Sequence, residues 1–568
     1  MNPRQIVQIP AEQVQKIIEI KEIRKDLIGF PISKAVHLLL QERIAEIFKE
    51  HNQTPAPKIS PGKWFEYIRE PVPVHIWAPI SFGVVRNSQE MIGYPFTQIM
   101  VYGDPKSCVW GTLKEDICGI GDFLLAKLKD SEFAEQHYQK HLLYYQKLLE
   151  LCEEIRKQQL QLLSKTELYA LYSNFYEQYK KFNALSFDID AMDIVLEQRM
   201  KEKISVLCSK AKINSKEQLT IYNLLSTPLE PSYVNQEKQE VYQLAIEINK
   251  DPKLKELFRY DTTIIAEKIK NNKKIIASFN SLVSQFWWTG LGWNSGKNKT
   301  ANSFIGEIKE ILRQPDFSEE VEQIDELGST KKLKQQKEKI SKELTFDQEM
   351  KYFLEVFEKY ALFHDHRKEI QMKSTVSMNR MVQEVATRYK MKYEDLLWAW
   401  PSDIQKLILT NKIDLTIIEK RKENFFYLVS EDTIEQLTGE MAIRRKKEEL
   451  GSERENIANF QGLTASIGKV TGIAKVCYSP EEAVQNISAG DILVTSMTTP
   501  EFVPSMKKAA AIVTNEGGIT CHAAIVSREL KIPCIVGTGI ATKTIYSGDL
   551  IEVNANHGVV NILKRKLD

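Results

Sequence analysis

Thr514-Asn-Glu-Gly-Gly-Ile-Thr-Cys-His-Ala-Ala-Ile-Val-Ser-Arg-Glu-Leu-Lys-Ile-Pro-Cys-Ile-Val-Gly-Thr-Gly539 is the stretch that decides the reading of this chain. An apolar run, Ala510–Thr514, leads into it and reads as a buried strand. The glycine pair Gly517-Gly518 then lets backbone approach a bound group closely. Thr520 stands where a helix N-cap belongs, Cys521–Leu530 has helical spacing, and Pro533 follows the helix. His522 therefore falls in the first helical turn. Free backbone N–H groups and the helix dipole favour an anion there. A neutral imidazole is a competent nucleophile toward phosphorus near neutral pH. The pattern suits a transient phosphohistidine, although a lone histidine in a helix is more often structural.

The pattern resembles the mobile phosphohistidine domain of phosphoenolpyruvate-utilising enzymes, the group of phosphoenolpyruvate synthase (pyruvate, water dikinase) and pyruvate phosphate dikinase. The matching residues are Thr514, Gly517, Gly518, Thr520, Cys521, His522, Ala523, Ala524, Arg528, Glu529, Leu530, Ile532, Pro533, Val536 and Gly537. Cys521 before the histidine is similar to the synthase branch. GDILVTSMTTPEFVPSMKKAAAIVTN (490–515) and GLTASIGKVTGIAKV (462–476) extend the resemblance over about 460–564. Ile467 and Asn515 depart from the usual Pro and Asp, and the last turn reads Asn556-His557-Gly558. The resemblance implies a β/β/α swivelling domain. His522 would carry the phosphoryl group, with Gly517, Gly518, Thr520, Cys521 and Arg528 in support.

Upstream, KKEELGSERENIANF (446–460) is polar and poor in core formers, and reads as a linker or hinge. Residues 121–445 read as mostly helical, with apolar 3–4 spacing and dense charge opposite it. Breaks come at STPLEPS (226–232), FWWTGLGWNSGKN (286–298) and RQPD (313–316), and 317–345 reads as a charged helical pair. Residues 55–120 are rich in proline. PVPVHIWAPI and FTQIMVY read there as β-prone, and 1–54 as helical. The expected organisation is multidomain: a small α+β unit over 1–120, a helical domain over 121–445, the hinge over 446–460 and a C-terminal α/β phosphohistidine domain over 461–568. In LLSTPLEPSY (224–233), the aromatic loop at 286–293 and EVATRYKMKYEDLLWAWPSDIQKLI (384–408), the helical part loosely resembles the linker preceding this domain in stand-alone or rifampicin-phosphotransferase-like members.

Composition excludes several classes. Lys+Arg of 77 against Asp+Glu of 76 gives a net charge of +1, so no global field draws nucleic acid or an anionic membrane. No apolar run nears the ~20 residues of a membrane span, and the N-terminus lacks a signal-peptide core. Seven scattered cysteines read as free thiols, and the expected location is the cytoplasm.

Other candidates read as structural. Cys521-His522 is a poor hydrolase dyad, because adjacent helical residues point ~100° apart. Gly292–Asn298 fails the phosphate-loop spacing, though Trp287, Trp288 and Trp293 suit a pocket wall. His364-Asp365-His366 lacks metal-ligand spacing and reads as solvated surface. Asp190, Asp193 and Glu197 share one helical face with Arg199 near, and read as a polar face before a Mg²⁺ site.

No ATP-grasp pattern and no phosphoenolpyruvate-binding barrel is evident in this chain. The expected function is phosphotransfer by His522, from ATP or phosphoenolpyruvate through a partner protein carrying one of those domains, to an unknown small-molecule acceptor. Any Mg²⁺ belongs to a partner or acceptor site, with no metal site evident in this chain. The alternatives are a complete phosphotransferase with its acceptor pocket in the helical region, and a non-catalytic docking or regulatory relic.

Overall fold

The computed structural model describes residues 64–69, 71–291, 297–314, 330–450, 457–518 and 521–566. The expected helix over 1–54, Trp293 and Thr520 lie outside these residues, as does the middle of the expected hinge.

Two sheets organise the described residues. The first is antiparallel, in the order β1 (Trp64–Arg69), β3 (Cys108–Leu113), β2 (Gln98–Gly103), β4 (Phe425–Ser430), β5 (Ile434–Thr438). β4 and β5 come from the stretch expected to be mostly helical. FFYLVS is aromatic and β-branched, and its partner β2 lies over 300 residues earlier, so strand pairing and not local propensity decides it. One face of this sheet packs on the helix Glu440–Leu450, where Trp64 Nε1 donates to Glu449 at 3.0 Å. The other face joins the main helical core.

PVPVHIWAPI is helical and not β. The helix Val74–Met91 begins after Pro73 and keeps Pro79 inside it. Pro79 removes one backbone bond near the helix start, and burial of Val74–Ser81 on every side outweighs that loss. The helices Ser131–Lys157, Lys165–Ser186, Asp188–Lys210 and Gln348–Tyr389 complete the main core. Three of these starts are fixed by side chains, and Asp188–Lys210 has no side-chain cap. Asp130 accepts from the N–H groups of Glu132 and Phe133, and Ser164 and Glu167 form a capping box. A second core gathers the helices Tyr233–Lys250, Lys273–Phe286 and Ala301–Ile311. No described helix is long and apolar enough to cross a membrane.

The second sheet is the C-terminal α/β unit. Its order is β6 (Asn459–Gln461), β13 (Val559–Lys564), β12 (Leu550–Asn554), β8 (Lys469–Val476), β9 (Ile492–Thr495), β10 (Ala511–Thr514), β11 (Cys534–Val536), β7 (Leu463–Ser466). β8 to β11 run parallel, and the flanking pairs are antiparallel. Separate apolar cores cover the two faces. This explains the near-continuous apolar runs Ile492–Thr495 and Ala511–Thr514, which are buried throughout. Residues 446–450 of the expected linker end the helix Glu440–Leu450, and 459–460 already belong to β6.

Candidate functional site

β10 crosses to the parallel strand β11 through the helix His522–Leu530. The turn before that helix lies at the C-terminal ends of β9 and β10, the usual ligand edge of a parallel sheet. The helix begins at His522, with Cys521 in the capping position and no side-chain cap. That start is one residue later than the sequence suggested with Thr520 as cap. Cys521 N–H closes the turn onto the Gly518 carbonyl at 3.1 Å.

The two glycines are needed for different reasons. Gly517 has φ +106°, and a Cβ there would meet Cys521 Sγ at 2.6 Å. A Cβ on Gly518 would instead lie 2.9 Å from Glu197 Oε1, across the seam with the helical region. Cys521 thus acts as packing for the turn. Its thiol is pushed up by burial, which speaks against a thiolate nucleophile.

His522 Nδ1 lies 2.8 Å from the Thr498 hydroxyl, which follows the neighbouring strand β9. With Nδ1–H donating to Thr498, the lone pair is left on Nε2. Burial pushes the imidazole down to about 4, against an upward pull from Glu501. His522 is therefore neutral at physiological pH. Arg528 sits in the last turn of the same helix, exposed to the cleft, and has no ion pair among the described residues.

His522, Arg528, Thr498 and Glu501 line a cleft of 2780 Å³ whose opposite walls come from the helical region. Asp190, Asp193 and Glu197, expected to form a plain polar face, line that cleft. Asp190 accepts from Arg367 Nη1 at 2.6 Å. Asp193 is reached by solvent from the cleft yet crowded by its walls. That crowding pushes its carboxyl up to about 7, with Arg367 opposing and Asp190 and Glu197 reinforcing.

The His364–His366 segment is not plain solvated surface either. His364 is exposed but faces the cleft. Asp365 accepts from the Tyr233 N–H at 3.0 Å, and His366 stacks on Tyr145 with centroids 4.1 Å apart. Trp288 also lines the cleft; Trp287 does not.

Among the described residues, two ion pairs hold the α/β unit against the first sheet. Arg69 of β1 grips Glu516 through both guanidinium nitrogens, the Nη2–Oε2 contact being 2.9 Å. Lys543 Nζ lies 2.6 Å from Glu66 Oε1. Sequence reading missed Thr498, Glu501, Arg69 and Glu516. Only Thr498 left a trace, in the TTP of the run 490–515.

Residues 487–558 match the family model described as "PEP-utilising enzyme, mobile domain". Among curated proteins, the probable phosphoenolpyruvate synthase of Archaeoglobus fulgidus is 51% identical over 122 residues, 21% of this chain and 16% of that protein. The phosphoenolpyruvate synthase of Aeropyrum pernix is 36% identical over 209 residues, 36% of this chain and 23% of its own. That of Pyrococcus furiosus is 39% identical over 185 residues, 33% and 20%. The matched stretch thus spans less than a quarter of each of these relatives. Residues 487–558 contain His522, and over them the chain is similar to the mobile domain of PEP-utilising enzymes.

Proposed function

We propose that the chain is a phosphotransfer protein in which His522 Nε2 takes a phosphoryl group from a donor and passes it to an acceptor. One observation carries this reading: a neutral histidine at a helix start, with Nδ1 engaged by Thr498, lines a large cleft. The Nε2 lone pair attacks phosphorus, the P–O bond to the donor's leaving group breaks, and the phosphoramidate keeps Nδ1–H on Thr498. In the second half an acceptor oxygen attacks, the N–P bond breaks, and Nε2 regains its lone pair. The helix-start N–H groups favour the phosphoryl charge throughout. Gly517, Gly518 and Cys521 shape the turn, and Arg528 supplies a cation at the cleft edge. Thr520 would add to the turn, in keeping with the family pattern.

The donor is ATP or phosphoenolpyruvate, delivered by a partner with an ATP-grasp or phosphoenolpyruvate-binding domain, and Mg²⁺ belongs to that partner or to the acceptor. The polar seam at Arg69–Glu516 and Lys543–Glu66 suits a domain that undocks, with the hinge within 446–460. A second reading gains from the cleft itself. Asp193, poised near neutrality opposite His522's domain, suits a base that takes a proton from an acceptor hydroxyl bound in the helical region.

The test is incubation of the full chain with labelled ATP or phosphoenolpyruvate, with and without an ATP-grasp partner. Label on the wild-type chain and none on His522→Asn supports the proposal; equal label on both defeats it.

A further inference from the structure

His137 and His141 sit one helical turn apart on the helix Ser131–Lys157, so their rings share a face. Both Nε2 atoms converge on a single oxygen of Asp188, the first residue of the helix Asp188–Lys210. His137 Nε2 lies 2.7 Å and His141 Nε2 2.9 Å from Asp188 Oδ2. The hydroxyl of Tyr360, from the helix Gln348–Tyr389, is 3.3 Å from His137 Nε2 and 3.3 Å from Asp188 Oδ2. Three helices therefore bring two nitrogens and two oxygens to one point. The side chains of His137, His141 and Asp188 are 2%, 4% and 0% exposed, which takes the group out of water.

This cluster is hard to explain as a hydrogen-bond network. A buried carboxylate needs a compensating positive charge. The second carboxylate oxygen, Asp188 Oδ1, is fully buried with no hydrogen-bond partner among the described residues. Both imidazoles thus crowd one carboxylate oxygen while the other is left without a partner.

We infer that His137, His141 and Asp188 bind a divalent transition-metal ion, zinc by preference, with the Tyr360 hydroxyl as fourth ligand. The ion turns both Nε2 lone pairs inward, neutralises the carboxylate and gives it a partner. Two imidazoles with oxygen donors suit zinc and its neighbours and not Mg²⁺ or Ca²⁺, which take oxygen alone. Ligands ~2.0–2.1 Å from zinc stand roughly 3.3 Å apart in a tetrahedron. The two 3.3 Å contacts already have that spacing, and the two shorter ones must open by about half an ångström around the ion.

The site is structural and not catalytic. Four protein ligands close a tetrahedral shell, whereas a catalytic zinc keeps a position open. The ion instead ties together the helices beneath the cleft. Tyr360 lines the cleft, and Asp188 lies two residues before Asp190, which does too.

The test uses the full chain expressed in zinc-supplemented and, separately, cobalt-supplemented medium and purified without a metal-affinity step. Elemental analysis should find about one equivalent of zinc per chain. The cobalt form should show the intense visible bands of a four-coordinate ion and no thiolate charge-transfer band, which separates this site from the seven cysteines. Asp188→Asn and His141→Gln, which keep volume and hydrogen bonding, should each lower occupancy at least tenfold. The inference is overturned by less than a tenth of an equivalent of both metals in the wild-type chain, by occupancy unchanged in both variants, or by a thiolate band. If either variant fails to fold, wild-type occupancy and the cobalt spectrum decide the matter alone.

Discussion

Arg69 and Glu516 stand 447 positions apart and close a two-point ion pair across the seam between the first sheet and the glycine turn before His522. Glu516 lies one residue before Gly517, so a strand of the helical region's sheet holds the loop that shapes the His522 site. Each side chain is mostly buried, at 16% and 18% exposure. Removing one partner strands the other charge where water compensates it poorly.

Arg69→Ala should therefore loosen docking without unfolding either part. Charged hydrogen bonds are worth about 1.5–3 kcal/mol each, and relaxation recovers some of that. Hydrogen exchange at 515–518 should rise, and limited proteolysis within 446–460 should release a folded fragment near 461–568 faster than from wild type. Unchanged exchange and cleavage would mean that the seam does not govern undocking.

Thr498→Val keeps the shape and deletes the hydroxyl paired with His522 Nδ1. Phosphoryl acceptance should fall about tenfold, the worth of a ~1.4 kcal/mol hydrogen bond, while Thr498→Ser keeps most of the rate. A rate unaffected by Thr498→Val would remove Thr498 from the site.

The pH dependence follows from His522, which burial pushes down to about 4 from an ordinary 6.5. The folded imidazole stays neutral between 6.5 and 4, where the unfolded chain's histidine has begun to bind a proton. Because the unfolded state binds more protons across that window, stability is full above 6.5 and is withdrawn as pH falls toward 4. The rate of phosphoryl acceptance should show no inflection at 6.5 attributable to His522. His522→Asn should flatten part of the acid loss of thermal stability. A histidine NMR titration with its midpoint near 6.5 would contradict this.

Gly517→Ala and Gly518→Ala should differ. The first forces a side chain to φ +106° and into Cys521, at a cost of about 1–3 kcal/mol. It should lower the melting temperature of the α/β unit. The second meets only Glu197 across the seam, so it should weaken docking and leave that melting temperature nearly unchanged.

What could be read from sequence was what is local. The strand, glycine turn, histidine and helix of 510–530 are contiguous, and each residue type answers to backbone geometry there. Thr498 reaches His522 only because β9 and β10 are parallel neighbours, a fact of pairing that no spacing records. β4 and β5 were hidden for the same reason, since their partner β2 lies more than 300 residues upstream. PVPVHIWAPI misled because its prolines and β-branched residues signal a strand, while complete burial made it helix. His137 and His141 show a turn's spacing, but Asp188 and Tyr360 join them only through helix packing.

The most direct measurement is the site and chemistry of the phosphoryl group on the full chain. After reaction with labelled donor and partner, phosphorus NMR and mass spectrometry of the intact protein should find one acid-labile, base-stable phosphoramidate, on Nε2 of His522. A phosphoryl group on any other residue, on Nδ1 of His522, or persisting in His522→Asn would contradict it.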